Sequence, residues 1–393
     1  MAIGQAINTS LRYIVEATFG AAPTGSGYRE IRHITESLES TTGRAKSSEM
    51  RTDRKIIASR RTGVGAAGDI SGELAPDLAN EDFIRAALHS AAWPTVKTPQ
   101  TNFAVTDDHT VNKSSLHDHA NAGDFVLLHG FTTAATLGNN RVMKVESAGS
   151  SNVNFYGSGL TAVGADAAFT YVQGDKIADG SSLRTFSIER AHSDLANEFA
   201  VFRGMAVDSM SVGMSEGDFV SLNFSFTGAD EMSPRPTAKQ SSGTPTAACK
   251  DPSFSSPDDI GALVENNLDI DLVSFDFTYN NGLYESRKAN KLGAQAIGSG
   301  NSDISGSFTM LFEDSTQLDK YLADTSTSIA FWVANGKWSY VFEFPQCRFS
   351  KGATSRGSGA APITAEFEFD VEMEEASPND MIRVWRFYAP TTT

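Results

Sequence analysis

The sequence predicts a mainly β protein built from two tandem copies of one domain, and three observations support this prediction. Asp69-Ile70-Ser71-Gly72 recurs as Asp303-Ile304-Ser305-Gly306. At the same distance after each motif stands a leucine, Leu88 and Leu322, late in a short amphipathic stretch. The composition, with 25 Phe and 33 Gly, suits a β-rich core joined by many turns. Because a repeated pattern marks a repeated structural unit, we expect two copies of one fold.

Composition and charge set broad limits. At 393 residues the chain has room for two or three domains with their own cores. No apolar run reaches the roughly 18–20 residues of a membrane span, and the N-terminus lacks a secretory pattern. A net charge of −16 argues against a surface that binds nucleic acid. Cys249 and Cys347 predict no disulfide framework, which fits synthesis in a reducing cytoplasm.

The first copy is predicted as strands around one helix. Residues 1–24 show little periodicity and are expected to form an extended arm. Residues 30–42 show partial strand character, and a loop is predicted between them and the repeated motif. A helix is predicted to begin at Asn80 or Glu81. The remaining strands of this copy are predicted at Leu183–Ile188, Phe199–Val212 and Phe219–Thr227.

The second copy repeats this order. Alternating apolar residues predict a strand over Leu268–Asn281, and Asp314 followed by Gln317 resembles the capping box of a short helix. Three further strands are predicted at Ile329–Val333, Trp338–Phe344 and Ile363–Met373. Fewer residues separate the closing strands of the two copies than separate the two Asp-Ile-Ser-Gly motifs. The first copy must therefore contain extra residues between its motif and its closing strand.

These extra residues lie between the helix and the closing strands of the first copy. Short apolar runs punctuated by glycine predict strands at 124–128, 141–145, 154–156 and 169–172, and hence a small β barrel or sandwich. Residues rich in Ser, Thr and Pro then predict a linker between the copies. The predicted organisation is an arm at 1–24, a first domain at 25–94 plus 183–232, an inserted β domain at 95–182, a linker at 233–258 and a second domain at 259–393.

No motif argues for catalysis, and we expect no enzyme activity and no cofactor. Residues 63–68 have the G-x-G-x-x-G spacing but precede a predicted strand instead of linking a strand to a helix. His117 and His119, with His109 and His129 nearby, are the best candidates for metal ligands, yet no cysteine or spaced carboxylate completes a site. A solvated loop is the favoured interpretation of these histidines, and no metal is predicted.

Residues 43–65 carry a local positive charge within an acidic chain. Two interpretations stay open, a solvated flexible loop and a contact with an acidic surface of another subunit. A nucleic-acid patch is less favoured because the segment has no aromatic residues. The candidate contact residues, which outnumber the acids Glu49 and Asp53, are Arg44, Lys46, Arg51, Arg54, Lys55, Arg60 and Arg61.

Strict alternation of acidic and apolar residues over 366–374 predicts a half-buried strand. One face is apolar, and the other carries only acids, which must face water or a cationic partner. An ordinary exposed strand and an acidic wall facing a functional channel are both consistent with this pattern. This acidic row consists of Glu366, Glu368, Asp370, Glu372 and Glu374. The corresponding strand of the first copy offers the neutral residues Ser221, Asn223, Ser225 and Thr227.

Several short runs also carry a family resemblance. In the first copy they are Tyr13-Ile14-Val15-Glu16-Ala17-Thr18-Phe19-Gly20, Thr35-Glu36-Ser37-Leu38, Ser48-Glu49-Met50-Arg51-Thr52-Asp53-Arg54 and Gly68-Asp69-Ile70-Ser71-Gly72-Glu73-Leu74. In the second copy they are Tyr279-Asn280-Asn281-Gly282-Leu283, Asp303-Ile304-Ser305-Gly306-Ser307-Phe308 and Tyr340-Val341-Phe342-Glu343-Phe344-Pro345. On these runs the chain resembles the tail tube (major tail) proteins of long-tailed, non-contractile bacteriophages.

The resemblance implies a structural virion protein. Each tube domain of such a protein is a β-sandwich with one flanking helix, and six domains form a ring whose inner strands line a channel. Stacked rings form the tail tube, through which DNA is delivered. Two fused copies per chain would give the same ring from three chains. An acidic channel wall would let DNA slide without adhering, since no cation there releases its condensed counterions.

The resemblance also implies partners and a location. The expected partners are other copies of this chain, the tape-measure protein, tail-terminator and tail-tip proteins, and DNA in passage, with no membrane binding. Assembly is expected in the host cytoplasm and the final location in the virion tail. The alternative from a different class is an exported β-rich adhesin or carbohydrate-binding protein, which would require an export signal that is not visible.

Overall fold

The computed structural model describes residues 5–388, apart from 96, 196–197, 257–258, 337, 356–361 and 377. The fold is mainly β, with two α-helices in the described residues, and this confirms the predicted class. The first unit opens with five strands and a helix: β1 (Thr9–Val15), β2 (Arg29–Glu30), β3 (Thr35–Glu36), β4 (Glu39–Lys46), β5 (Ser59–Glu73) and α1 (Leu78–Ala87).

A closed six-stranded barrel follows α1. Its strands are β6 (Gln100–Val105), β7 (Thr110–Asn112), β8 (Phe125–His129), β9 (Arg141–Ala148), β10 (Asn152–Phe155) and β11 (Val163–Gln173). The barrel has its own core, in which Phe131 stacks on Phe169 at 4.2 Å between ring centroids. The chain then returns to the first unit through β12 (Asp175–Ala178), β13 (Phe186–His192), β14 (Phe199–Ser215), β15 (Ser221–Gly228) and β16 (Asp230–Glu231).

The second unit contains ten strands and one helix within the described residues. They are β17 (Ile260–Glu265), β18 (Leu268–Ile270), β19 (Leu272–Asn280), β20 (Tyr284–Ser286), β21 (Ala296–Gly298), β22 (Asp303–Leu311), α2 (Thr316–Leu322), β23 (Thr327–Asn335), β24 (Trp338–Thr354), β25 (Thr364–Val371) and β26 (Arg383–Arg386). The two Asp-Ile-Ser-Gly motifs lie in β5 and β22, and each of these strands leads into one of the helices.

One antiparallel sheet of eight strands runs through both units. Its order is β3, β5, β15, β14, β19, β22, β25 and β24, with β4 continuing β3 along the same edge of β5. The two units meet where β14 pairs with β19, from Ser209 opposite Asn280 to Ser215 opposite Ser274. We call this pairing the internal joint.

A second layer completes each sandwich. In the first unit it contains β2, β1, β13 and the first half of β14, and in the second it contains β18, β17, β23, the first half of β24, β26 and β12. Strands β14 and β24 each contribute to both layers. In β14 the pairing register with β15 shifts between Val207 and Ser209, near the point where the strand leaves the second layer.

The two helices are buried to different degrees. Phe83 of α1 inserts into an aromatic cluster, with ring centroids 4.8 Å from Tyr13, 5.1 Å from Phe186 and 5.3 Å from Phe226. None of the described residues of α2 is buried. The repeated leucines therefore differ, since Leu88 is fully buried whereas Leu322 is 73% exposed.

Several segments that were predicted as arm, loop or linker are structured. The expected arm contains β1, because Leu11 and Tyr13 alternate with polar residues and are buried in the sheet. Of residues 43–65, predicted as a loop, 43–46 and 59–65 are paired strand residues of the β4–β5 hairpin, and 47–58 connect the two strands. The span 95–182 includes β12, which lies outside the barrel and pairs with β26. Phe254, in the expected linker, is buried and its N–H donates to the Leu74 carbonyl at 2.9 Å.

A buried polar cluster ties the first unit to the end of the second. Arg386 of β26 forms ion pairs with Glu81 of α1 and with Asp175 of β12, the latter at 3.5 Å. The Tyr340 hydroxyl donates to Glu81 at 3.0 Å, and the Arg386 guanidinium lies 4.5 Å from the ring centre of Trp93. Burial raises the pKa of Glu81 to about 8 and that of Asp175 to about 6, although Arg386 opposes both shifts.

This cluster predicts a pH-dependent stability. The folded protein keeps the Glu81 proton to a higher pH than the unfolded chain, so the free energy of unfolding should fall as pH rises from about 4.5 to about 8. Over pH 5–8 we expect a loss of about 2–4 kcal/mol, most of it removed in Glu81→Gln. Urea unfolding of the unassembled protein measures this, with exposed Asp319→Asn as the control. An unchanged pH dependence in Glu81→Gln would contradict the assignment.

Candidate functional site: a polar sheet face, a basic hairpin and a packed barrel

The eight-stranded sheet presents one continuous polar face. Residues directly opposite each other in antiparallel strands lie on the same side of a sheet, so the pairing register defines this face. One row across it consists of Ser71, Asn223, Ser211, Thr278, Ser305, Asp370 and Arg348. The next row consists of Glu73, Ser221, Gly213, Asp276, Ser307, Glu368 and Lys351. Small polar and acidic residues thus span both units, and we call this surface the polar face.

The opposite side of the same sheet is apolar and buried. Its matching row consists of Ile70, Phe224, Met210, Tyr279 and Ile304, all of which belong to one core. This core extends through the internal joint, and beside the joint, within the second unit, Phe275 of β19 stacks on Phe331 of β23 at 4.7 Å between centroids. Because the core fixes which side chains turn inward, it also determines that the polar face points to solvent.

Glu366, Glu368 and Asp370 of the acidic row lie on the polar face, whereas β25 ends at Val371, before Glu372 and Glu374, and the row is partly neutralised. Phe367 and Phe369 point into the core, as the alternation predicted. Lys351 of β24 contacts Glu368 at 2.5 Å, Arg348 contacts Glu372 at 3.0 Å, and Arg383 pairs with Glu374. The sequence pattern gave no sign of these cations. In the described part of the chain, no cation pairs with Glu366 or Asp370.

The first unit contributes neutral residues to the same face. Ser221, Asn223, Ser225 and Thr227 of β15 pair with alternate residues of β5, so all four lie on the polar side. Ser71 in the first motif is opposite Asn223, whereas Ser305 in the second is opposite Asp370. The polar face therefore has a neutral sector from β15 and an acidic sector from β25.

The seven basic residues at 43–65 lie on an exposed hairpin. Strands β4 and β5 remain paired from Glu39 opposite Ala67 to Lys46 opposite Ser59. All seven side chains are exposed, and Arg51 is the one with an ion pair in the described structure, to Asp53 at 2.9 Å. The hairpin end also exposes apolar side chains that sequence reasoning missed, with Met50 fully exposed and Ile56 and Ile57 more than half exposed. We call this element the basic hairpin.

The barrel packs on the second unit, on the side away from the polar face. Phe125 and Val142 of the barrel share a hydrophobic cluster with Trp332, Val341 and Trp385 of the second unit. Trp332 and Val341 are directly opposite in β23 and β24, and their neighbours Phe331 and Phe342 point into the core on the other side. Two ion pairs, Lys144 with Glu343 and Arg141 with Asp269, each at 3.1 Å, border this contact.

His119 and His129 belong to no group of candidate metal ligands among the described residues, and the side chain of His117 lies outside them. Among the described residues, one group of possible ligand atoms lies within 4.8 Å of one another, formed by Asp107, Asp108 and His109. Of these, the sequence had indicated His109 alone. This exposed turn is explained by the 2.7 Å hydrogen bond between His109 and Asp108, which raises the pKa of the imidazole.

A comparison with protein families bears on this architecture. The family model described as phage tail tube protein matches residues 6–371. The chain belongs to the phage tail tube protein family. No curated protein matches it. In the described residues of this tail tube protein, no helix is long and apolar enough to cross a membrane.

Family membership establishes the broad role of this tail tube protein. It is a structural component of the virion tail and self-assembles into a tube. The family is typically without enzymatic activity, and the alternative of an exported adhesin is not favoured. The roles of the polar face and of the basic hairpin within the tube are not set by the match, and they remain predictions.

The packed barrel leads to a prediction for its removal. Gln100 of β6 is directly opposite Tyr171 of β11, so the two ends of the barrel segment lie close together and residues 99–173 can be replaced by a short Gly-Ser bridge that keeps β12. This deletion should uncover Trp332 and Val341 and lower solubility. Adding Trp332→Thr and Val341→Thr to the deletion should restore solubility and permit tube formation.

Sedimentation and electron microscopy of these two deleted chains provide the measurement. A soluble chain after the deletion alone would contradict the covering role of the barrel. Failure of the soluble, repaired chain to form tubes would mean that the barrel takes part in assembly itself.

Proposed function

We propose that this chain forms the tail tube of a long-tailed, non-contractile phage from rings of three chains, with a polar channel through which DNA is delivered. The observation that carries this proposal is the internal joint. There, the last strand of the first unit's sheet pairs with the first strand of the second unit's sheet. If the same pairing recurs between chains, the edge at β24 joins the edge at β3 of the next chain.

The repeated motif defines which residues would meet. Ser305 is opposite Thr278 in the second unit, and Ser71 is opposite Thr35 in the first, so Thr35 corresponds to Thr278. On the other edge, Asn223 is opposite Ser211 and Asp370 is opposite Arg348, so Arg348 corresponds to Ser211. Since Ser211 pairs with Thr278 inside the chain, Arg348 is expected to pair with Thr35 between chains.

The burial of side chains supports this arrangement. Phe277 precedes Thr278 and is fully buried at the internal joint, while Ile34 precedes Thr35 and is 64% exposed. An open strand edge with an exposed apolar residue favours pairing with another chain. Each chain has two different edges, and a repeated pairing of unlike edges gives a ring where the rotation between chains closes. Three chains with eight strands each would give a wall of about 24 strands.

The polar face supports the role in DNA delivery. In such a ring the core and the barrel lie on one side of the wall, which leaves the polar face as the lining of the channel. Exposed carboxylates repel a polyanion, and small neutral side chains offer it few contacts. The acidic and neutral sectors would alternate around the ring. Before DNA enters, the tape-measure protein would fill this channel.

Further parts of the proposal follow from the domain organisation. We interpret the two units as a tandem duplication, in which one tube domain consists of β1 and residues 25–94 plus 183–232, and the other of 259–393 together with β12. The inserted domain at 95–182 would then lie on the outside of the tube. Assembly in the host cytoplasm and contacts with tail-terminator and tail-tip proteins complete the proposed role.

The ring joint can be tested by a cross-link. Directly opposite residues in antiparallel strands have Cα atoms about 4.5–5.5 Å apart, which suits a disulfide. Thr35→Cys combined with Arg348→Cys should therefore give covalent trimers after mild oxidation of assembled protein, seen on denaturing gels without reductant. The native Cys249 and Cys347 are buried and should not contribute.

A matched pair provides the control for the cross-link. In Thr35→Cys with Ala353→Cys, the second cysteine is displaced along the strand by about 13 Å, which is beyond disulfide reach. The protein with this control pair should remain monomeric on the same gels. Equal cross-linking in both pairs, or a ladder of products without an end at the trimer, would contradict the proposed ring.

The channel lining leads to a prediction for DNA ejection. Glu366 and Asp370 are exposed carboxylates of the polar face, so Glu366→Lys with Asp370→Lys should allow tubes to form but slow ejection. The slowing should be strongest at low ionic strength, where screening is weakest. The control carries Asp107→Lys and Asp108→Lys on the barrel and should eject normally. Normal ejection by the first variant at low salt would place the acidic row elsewhere.

A further inference from the structure

A groove lies between the barrel and the second unit. It contains two cavities, of about 210 Å³ and about 400 Å³. Three residues line both cavities: Lys144 of β9, Tyr156 directly after β10, and Asn267 in the turn between β17 and β18. The two cavities therefore meet at these side chains. Cavities of a few hundred Å³ are typical of sites that bind small molecules, and we call this feature the barrel groove.

A tight turn holds Asn267 in the groove. Glu265 pairs with Leu268, so Asn266 and Asn267 form a two-residue hairpin loop, and their φ angles of 49° and 65° are typical of a type I′ turn. The Asn266 N–H donates to the Ser328 carbonyl at 2.9 Å, which ties the turn to β23. The side-chain oxygen of Asn267 is buried and accepts no hydrogen bond from the described residues. Because an unpaired buried acceptor costs free energy, this oxygen favours a ligand that can donate to it.

The charges that line the groove balance one another. Across both cavities, four cations face four acids. A lining without net charge does not select a phosphate or another strongly charged group. It still offers N–H donors and carboxylate acceptors to a polar ligand in both cavities. Three of the four cations form ion pairs with three of the acids: Arg141 with Asp269, Lys144 with Glu343, and Arg383 with Glu374.

Tyr156 adds an accessible aromatic ring to this polar lining. Its N–H donates to the Lys144 carbonyl at 3.0 Å, which fixes the residue beside β9, and it is 38% exposed. Trp332 and Phe125 line the smaller cavity as well, but both are buried. A tyrosine combines an apolar ring face with a polar hydroxyl, so it suits a ligand that has both apolar and polar surfaces.

We propose that the barrel groove binds a neutral saccharide, with one sugar ring against Tyr156 and a sugar hydroxyl that donates to Asn267. Each hydroxyl both donates and accepts hydrogen bonds, so neighbouring hydroxyls match the paired cations and acids of the lining. The C–H face of the sugar ring is apolar and matches the tyrosine ring. The groove is complete within one chain, so this inference goes beyond the proposed function and does not depend on the ring of three. With the barrel on the outside of the tube, as proposed, the groove faces the surroundings of the virion and not the DNA.

Two substitutions in the turn form a matched pair for the test. Glycine adopts positive φ angles readily, so Asn267→Gly removes the buried oxygen and Asn266→Gly removes an exposed side chain, while both keep the turn. Glucose, galactose and N-acetylglucosamine are titrated against the unassembled protein and followed by saturation-transfer NMR. We expect at least one of them to bind with a Kd of about 1 mM. Asn267→Gly should weaken this binding about fivefold, and Asn266→Gly should leave it unchanged.

A third variant tests the aromatic contact. Tyr156→Leu keeps an apolar side chain but removes the ring, and it should weaken binding about tenfold, with thermal unfolding as the check that the barrel is intact. Absence of binding for all three sugars, or binding that Asn267→Gly and Tyr156→Leu both retain at wild-type strength, would overturn the site. Inorganic phosphate that binds the wild type and is weakened by Asn267→Gly would overturn a neutral saccharide as the ligand. The cross-link between Thr35→Cys and Arg348→Cys tests the ring separately, so failure of either proposal leaves the other standing.

Discussion

The internal joint between β14 and β19 is the interaction on which the rest of the structure depends. It merges two sheets into one, so a single core and a single polar face run through both units. Edge pairing of this kind satisfies backbone hydrogen bonds that an open edge would leave to solvent. Because the two outer edges of the sheet resemble the two edges already joined, the same interaction can extend from chain to chain without a new type of contact.

The two sides of this sheet impose different requirements. The core side needs large apolar residues, and phenylalanines of the second unit stack there, Phe275 on Phe331 and Phe308 on Phe367, in the core that continues across the joint. The polar side carries serine, threonine, asparagine, acids and, on β24, the cations Arg348 and Lys351, and no side chain of its two rows is fully buried within one chain. The cluster of Glu81, Asp175 and Arg386 also holds the two units together, because it connects α1 of the first unit to the last strand of the second unit.

Sequence reasoning reached the repeated motif, the two-faced strand from Glu366 as far as Val371 and the class of the fold, because these depend on local periodicity. It ended β24 at Phe344, although the strand continues to Thr354 through Pro345. The proline is tolerated because the register with β23 shifts beside it, where no ladder hydrogen bond is lost. The sequence of the basic hairpin shows no alternation of apolar residues, so its strands were not predicted. Lys351 and Arg348 lie beside the acidic row because of the pairing between strands, which a residue pattern along the sequence does not reveal.

The central claim is that the internal joint recurs between chains and closes a ring of three. Cryo-electron microscopy of assembled tubes, at a resolution that separates strands, tests it most directly. The account predicts three chains per ring, with β24 of each chain continuing into residues 34–37 of its neighbour and the polar face lining the bore. Six chains per ring, or a β24 edge that remains unpaired in the tube wall, would contradict it.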